Sequence, residues 1–233
     1  MATDKRSQRT SSKDAQLTAA RRARRERRRE RSREEILDAA RHVLMRKGIA
    51  GTTVEAVARE LGMTKTALYY YFPSKDAMLF ELIYAVLDAN AHRVHDAVDK
   101  SDGGADALRA IIAGTITDFV THLDDFRLAY LHGQVAGQGA VKIDNEQFTR
   151  IRPLNDLWYA GAAEKLAEGK TRGGKRAGRA KIEPRLLAFL AHVAAIGVLT
   201  VKGMVESVDD PLAYSDKQLI EGMVRVFEAA AGN

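Results

Sequence analysis

Cysteine is absent from this chain of 233 residues. That absence excludes disulfide frameworks, thiolate metal sites and cysteine nucleophiles, and it makes a reducing cytoplasm the simplest home. No apolar run reaches the length needed to cross a bilayer, and the N-terminal stretch is polar and arginine-rich without an apolar h-region. Neither a membrane span nor a secretory signal is expected. Alternating Val/Ile/Thr runs bounded by turns are missing as well, so beta-sheet architectures are not expected. No nucleophile-base-orienter set or pair of catalytic carboxylates can be picked out, which argues against an enzyme.

Excess positive charge is missing from most of the chain. Residues 1 to 33 hold thirteen Lys/Arg against four Asp/Glu, whereas the other 200 residues hold twenty-four against twenty-seven. The overall charge of +6 therefore belongs to a basic arm on a mildly acidic body. A polyanion is the natural partner for such an arm, nucleic acid before membrane, because no apolar face accompanies the arginines. Residues 1–32 carry too little apolar surface to offset their ordering entropy and are expected to be disordered, although the stretch from Arg21 to Arg33 has good helix formers.

What is present is helical periodicity from Arg33 onward, so the fold is expected to be all-α. In the first helix Ile36, Ala40, Val43, Leu44 and Lys47 share a face, and Gly48 stands where a glycine C-cap is wanted. Thr52 to Glu55 reads as a capping box, with the Thr52 hydroxyl and Glu55 carboxylate closing a second helix that buries Val54, Val57, Ala58 and Leu61. Gly62 turns the chain into a short third helix capped by Thr64 and stopped by Pro73. Ser74 caps a long fourth helix with Met78, Leu79, Leu82, Ile83, Val86 and Leu87 inward. Further helices are expected at about 105 to 123, 125 to 137, 145 to 169, 183 to 206 and 215 to 231, with a glycine-rich basic surface loop between Gly169 and Lys181.

Two short helices joined by a glycine turn, the second presenting Thr, Lys and aromatic side chains, have the layout of a helix-turn-helix. The stretch AVARELGMTKTALYYYFPSKDAML, with EEILDAARHVLMRKGIAGTTV before it, resembles the DNA-binding domain of the TetR family of regulators from about Arg33 to Leu79. The resemblance implies an N-terminal three-helix DNA-binding domain, residues 33–80, followed by a larger helical domain, residues 81–233. In the family that second domain binds an inducer and dimerises through its last two helices. The implied partners are a palindromic double-stranded operator, a second copy of the chain and an unknown small molecule. No cofactor or metal is implied. The repressor sign also comes from the family. The alternatives are an architectural nucleic-acid binder relying on the basic arm and, less favoured, an enzyme.

Within the motif, Thr64, Lys65 and Thr66 lie at the end of the recognition helix that enters the major groove, and Lys65 is the best base-reading candidate. Tyr69, Tyr70 and Tyr71 cannot all face one way at 3.6 residues per turn. The family resemblance implies DNA proximity for all three, with phosphate contacts from Tyr70 and Tyr71. Thr52 or Thr53, and Lys75, sit at helix N-termini that favour a phosphate oxygen. Residues 34 to 75 contain six Lys/Arg and five Asp/Glu. The arm could thus supply the missing counterion-release contribution, along the phosphates or in a minor groove.

Downstream, Phe119, His122, Phe126, Tyr130, Gln134, Phe148, Trp158 and Tyr159 mix aromatic and hydrogen-bonding groups and could line an inducer pocket. His92 and His95, with Asp88 and Asp96, have spacing suited to a metal, but nothing supplies a third ligand and no metal site is assigned. The glycines between Gly133 and Gly139 follow no strand, so a nucleotide cradle is not expected. The helix from Glu183 to Glu206 is apolar almost all round and must be covered on more than one side. With Leu219, Ile220, Met223, Val224 and Phe227 it points to a two-fold helical interface, for which Leu199 and Val224 are the residues expected in the seam.

Overall fold

A computed structural model describes residues 2–131, 141–168, 182–205 and 214–231. Every regular element among them is helical: α1 (Ala2–Gly51), α2 (Val54–Glu60), α3 (Lys65–Tyr71), α4 (Lys75–Asp99), α5 (Gly104–Val120), α6 (Leu123–Phe126), a π-turn (Arg127–Leu131), α7 (Asn145–Glu168), α8 (Pro184–Val205) and α9 (Asp216–Ala230). The chain divides into two compact units, Met1–Met78 and Leu79–Asn233, so the boundary falls inside α4.

In the first unit, Ile36, Ala39, Ala40, Val43 and Leu44 of α1 are buried, as are Val54, Val57 and Ala58 of α2 and Leu68 and Phe72 at α3. Lys47 is exposed, and Leu61 is only half-buried. Gly48 takes φ 67° and Gly62 φ 63°, a region that side chains with a Cβ rarely enter, so both turns depend on glycine.

The helix of α1 begins at Ala2 and includes residues 21–33, the stretch of the basic arm with good helix formers. Neither proline nor glycine occurs before Gly48. Arginine, glutamate and alanine all favour helix, and Arg22–Glu26 and Arg31–Glu35 pair one turn apart at 3.4 Å. The packed half of α1 supplies the nucleus, so the extension needs only propagation.

In the second unit, α5 packs against α7, α8 and α9, and α7 and α9 each also pack on α8. Ile111, Ile112, Ile116 and Phe119 of α5 meet Trp158 and Ala162 of α7 and Leu187, Ala191, Ala195 and Leu199 of α8 in one buried cluster. By length and composition α8 could cross a membrane. Its Leu187–Leu199 face is nonetheless buried in this helical core. Leu199 and Val224, expected in an intersubunit seam, are fully buried within the protomer, because α5 covers the same sides of α8 and α9.

Candidate DNA interface and ligand core

The N-cap of α2 is Thr53, whose hydroxyl accepts from the Ala56 amide at 3.1 Å. Thr52 is fully buried and donates its hydroxyl to the Gly48 carbonyl oxygen at 2.8 Å. It closes the turn after α1 and is not on a surface that could meet phosphate, which corrects the capping box by one residue. The capping-box acid, Glu55, instead pairs with Lys65.

At α3, Thr64 caps the helix by accepting from the Ala67 amide at 3.2 Å. Thr64, Lys65, Thr66, Tyr69 and Tyr70 are exposed, Tyr71 is half-buried, and Leu68 points into the core. The Lys65 ammonium lies 5.7 Å from the Tyr69 ring centre, and its pKa is raised first by the hydrogen bond to Glu55. The same bond lowers the Glu55 carboxyl below its usual range. Lys75 is half-buried and donates to the Ile49 carbonyl oxygen at 2.7 Å, tying the start of α4 to the turn after α1. Sequence reasoning missed that tie because it depends on a residue 26 positions away.

Two arginines of α1 reach the end of α3. Arg33 donates to the Tyr71 carbonyl oxygen at 3.0 Å and stacks 4.5 Å over the Phe72 ring, while Arg29 lies 5.6 Å over the Tyr70 ring. Tyr70 and Tyr71 meet edge to face at 5.1 Å. These contacts fix the C-terminal turn of a helix only seven residues long.

In the helical unit, five of the eight proposed ligand residues converge. Phe119, Phe126 and Tyr130 stack mutually at 5.4 to 5.8 Å, and Trp158 and Tyr159 join them through His192. His192 was missed in this role because only its position on the inner face of α8 brings it between α5 and α7. Its ring lies 4.7 Å from Trp158 and 5.9 Å from Tyr130, and Nδ1 is 3.5 Å from the Thr115 hydroxyl. Burial lowers the His192 pKa to about 4 and raises the Tyr130 and Tyr159 phenols.

His122 is exposed and bonds to the neighbouring Thr121 hydroxyl, so it does not join the cluster. Phe148 is exposed too and lines a groove of about 780 Å³ between the N-terminal parts of α7 and α8 with Arg152, Arg185 and Phe189, and Tyr159 joins this groove to the cluster. Gln134, the glycines 133–139 and the loop 169–181 lie outside the described residues. His92 contacts the Asp88 carbonyl oxygen one turn back at 2.9 Å, and no group of three or more potential metal ligands gathers among the described residues.

A capped α2, a glycine turn and a short α3 with an exposed Thr/Lys/Tyr face constitute a helix-turn-helix domain of a DNA-binding regulator. Residues 36–82 match the family of bacterial regulatory proteins described as the tetR family. By that match the N-terminal domain is a TetR-type DNA-binding domain. It is 29% identical over 145 residues to the HTH-type transcriptional repressor KstR2 of Rhodococcus jostii, covering 59% of this chain and 67% of that protein. It is 42% identical over 53 residues to the HTH-type transcriptional regulator RutR of Escherichia coli, covering 23% of this chain and 25% of that one. The match to a Bacillus subtilis HTH-type regulator spans only 34% of that relative's length. Among solved structures, FadR from Bacillus subtilis, in complex with stearoyl-CoA, is 15% identical with a TM-score of 0.61, covering 84% of this chain and 98% of that one. AibR, in complex with isovaleryl coenzyme A and operator DNA, is 19% identical with a TM-score of 0.55, covering 83% and 96%.

Proposed function

We propose that the chain is a transcriptional repressor in the cytoplasm that binds an inverted-repeat operator as a homodimer and is released by a small molecule. The observation that carries this reading is the exposed Thr64-Lys65-Thr66 end of α3, capped and held at its other end by Arg33. Lys65 reads base edges, while Tyr70, Tyr71 and the α2 N-terminus at Thr53 hold the backbone. Lys75 contributes its charge close to the DNA while remaining tied to the Ile49 carbonyl.

Exposed apolar residues on α8 and α9 support the dimer: Leu190, Val193, Val201 and Met204 on one helix and Val226 on the other. Apolar side chains recurring at helical spacing on two adjacent helices suit an isologous four-helix seam. For the inducer, the groove of about 780 Å³ between α7 and α8 offers apolar walls at Phe148, Tyr159 and Phe189 with the cationic Arg152 and Arg185 beside them. Since two structural relatives hold coenzyme A esters, acyl-CoA thioesters are the first compounds to try.

Selection of bound fragments from random duplex DNA tests the proposal. An inverted repeat whose half-site centres lie about one helical turn, roughly 34 Å, or slightly more apart is expected. Recovery of no preferred sequence overturns it.

A further inference from the structure

We propose that the arginine-rich stretch of α1 is a second, helical DNA-contacting element that lies along the phosphate backbone beside each operator half-site. The proposal rests on the DNA-binding reading above and extends it beyond the helix-turn-helix.

Nine of the thirteen residues from Arg21 to Arg33 are arginine and two are glutamate. Their order within the helix is not random. At about 100° per residue, Arg28, Arg21, Arg25, Arg29, Arg22 and Arg33 fall side by side on one arc of roughly 140°. Glu26, Glu30 and Glu34, spaced by four, fall together across from Arg21, Arg25 and Arg28. Arg24, Arg31 and Arg27 continue round the helix from Arg28, so arginine covers about 240° of its circumference and glutamate the rest. The arc from Arg28 to Arg33 is the part on the side of the recognition helix.

That arc is oriented by its own end members. Arg29 stacks over Tyr70, and Arg33 bonds to the Tyr71 carbonyl oxygen, so the arc starts at the tyrosine end of the recognition helix and runs away from it. Arg21, Arg22, Arg25 and Arg28 are exposed along that run. From Arg33 back to Arg21 the helix spans about 18 Å, a length of DNA axis over which one strand carries roughly five phosphates. A row of like charges on a solvated helix calls for a polyanion. Ala23 is the sole apolar residue of the stretch, so there is nothing to insert into a lipid surface. The helix-turn-helix itself is nearly neutral, and the row supplies the charge that backbone binding requires.

The test compares two triple variants of the full chain on the selected operator, with binding measured against salt concentration. Arg21, Arg25 and Arg28 are replaced by Gln in one, and Arg24, Arg27 and Arg31 by Gln in the other. Glutamine is close to arginine in helix propensity, and each variant removes the same charge. The first should flatten the slope of log K against log salt by up to about 0.9 for each arginine lost, leaving the preferred sequence unchanged. The second should change the slope less than half as much. Equal effects would mean a diffuse charge cloud, and no effect a solvated tail, and either overturns the proposal. Weakened binding of duplex RNA with operator binding intact would make RNA the partner and overturn it too. A full chain that selects no DNA sequence is a different result, since it removes the DNA-binding reading itself and the proposal with it.

Discussion

Glu55 in the first turn of α2 forms an ion pair with Lys65 in the first turn of α3. Lys65, proposed to read bases, is therefore already engaged by a carboxylate of its own chain. That contact does two things: it orients Lys65 toward the N-terminal end of the recognition helix, and it competes with any acceptor on DNA.

The competition sets the first prediction. Both side chains are solvent-exposed, so the pair is screened and easily broken. Glu55→Gln should raise operator affinity about two- to fivefold at low salt, with the gain shrinking as salt rises. Lys65→Ala should instead relax sequence preference, read by selection from random DNA. If Lys65→Ala lost affinity with its preferred sequence unchanged, Lys65 would be a backbone contact.

Much of the recognition domain is legible in the sequence because its signals are local. Gly48, Gly62, Thr64, Ser74 and Pro73 each act within a few residues of themselves. Where the cap of α2 was displaced by one residue, two adjacent threonines competed for it. Thr52 lost because its hydroxyl is satisfied by Gly48 in the preceding turn. The roles of Lys75 and His192 could not be read in advance, since their partners lie 26 and 77 positions away. The expected seam residues failed for a related reason. An apolar residue on an almost wholly apolar helix carries no mark of which neighbour covers it, and α5 claims Leu199 and Val224.

Tyr70 offers a second prediction, because its ring and its hydroxyl do separate work. Tyr70→Phe keeps the ring beneath Arg29 and removes only the hydroxyl proposed to reach phosphate. Affinity should drop for all sequences alike, by about three- to tenfold. Tyr70→Ala should cost more and also reduce the contribution of the arginine-rich helix. Fluorescence anisotropy on specific and scrambled duplexes separates these outcomes.

Burial of His192 makes stability depend on pH. Its folded-state pKa of about 4 lies below the ordinary value of 6.5. Above pH 6.5 the ring is neutral in both states and has no effect. As pH falls through 6.5 the unfolded chain takes up a proton that the folded chain refuses, so stability declines until about pH 4, where the folded ring protonates too. At pH 5 the loss relative to pH 7 should be about 2 kcal/mol. Urea unfolding at the two pH values should show it, and His192→Asn should remove most of the difference. An equal difference in His192→Asn would assign it to other groups.

The last prediction concerns assembly, on which operator recognition depends. One helix-turn-helix makes too few base contacts to single out an operator, and the two-fold axis of the proposed homodimer would supply the second. Val193 is 44% exposed and Val226 67% exposed within the protomer, whereas Leu199 and Val224 are 0% exposed. A carboxylate at the first pair meets solvent in the monomer but is buried unpaired, twice, in the dimer. Val193→Glu and Val226→Glu should therefore halve the mass seen by light scattering at micromolar concentration, leave helix content intact and abolish protection of the full inverted repeat. Leu199→Glu places the same charge in the protomer core and should unfold the second unit instead. The contrast between the two classes identifies the seam. If Val193→Glu and Val226→Glu both remained dimers of normal mass that protect the whole inverted repeat, the solvent-facing sides of α8 and α9 would not be the dimer interface.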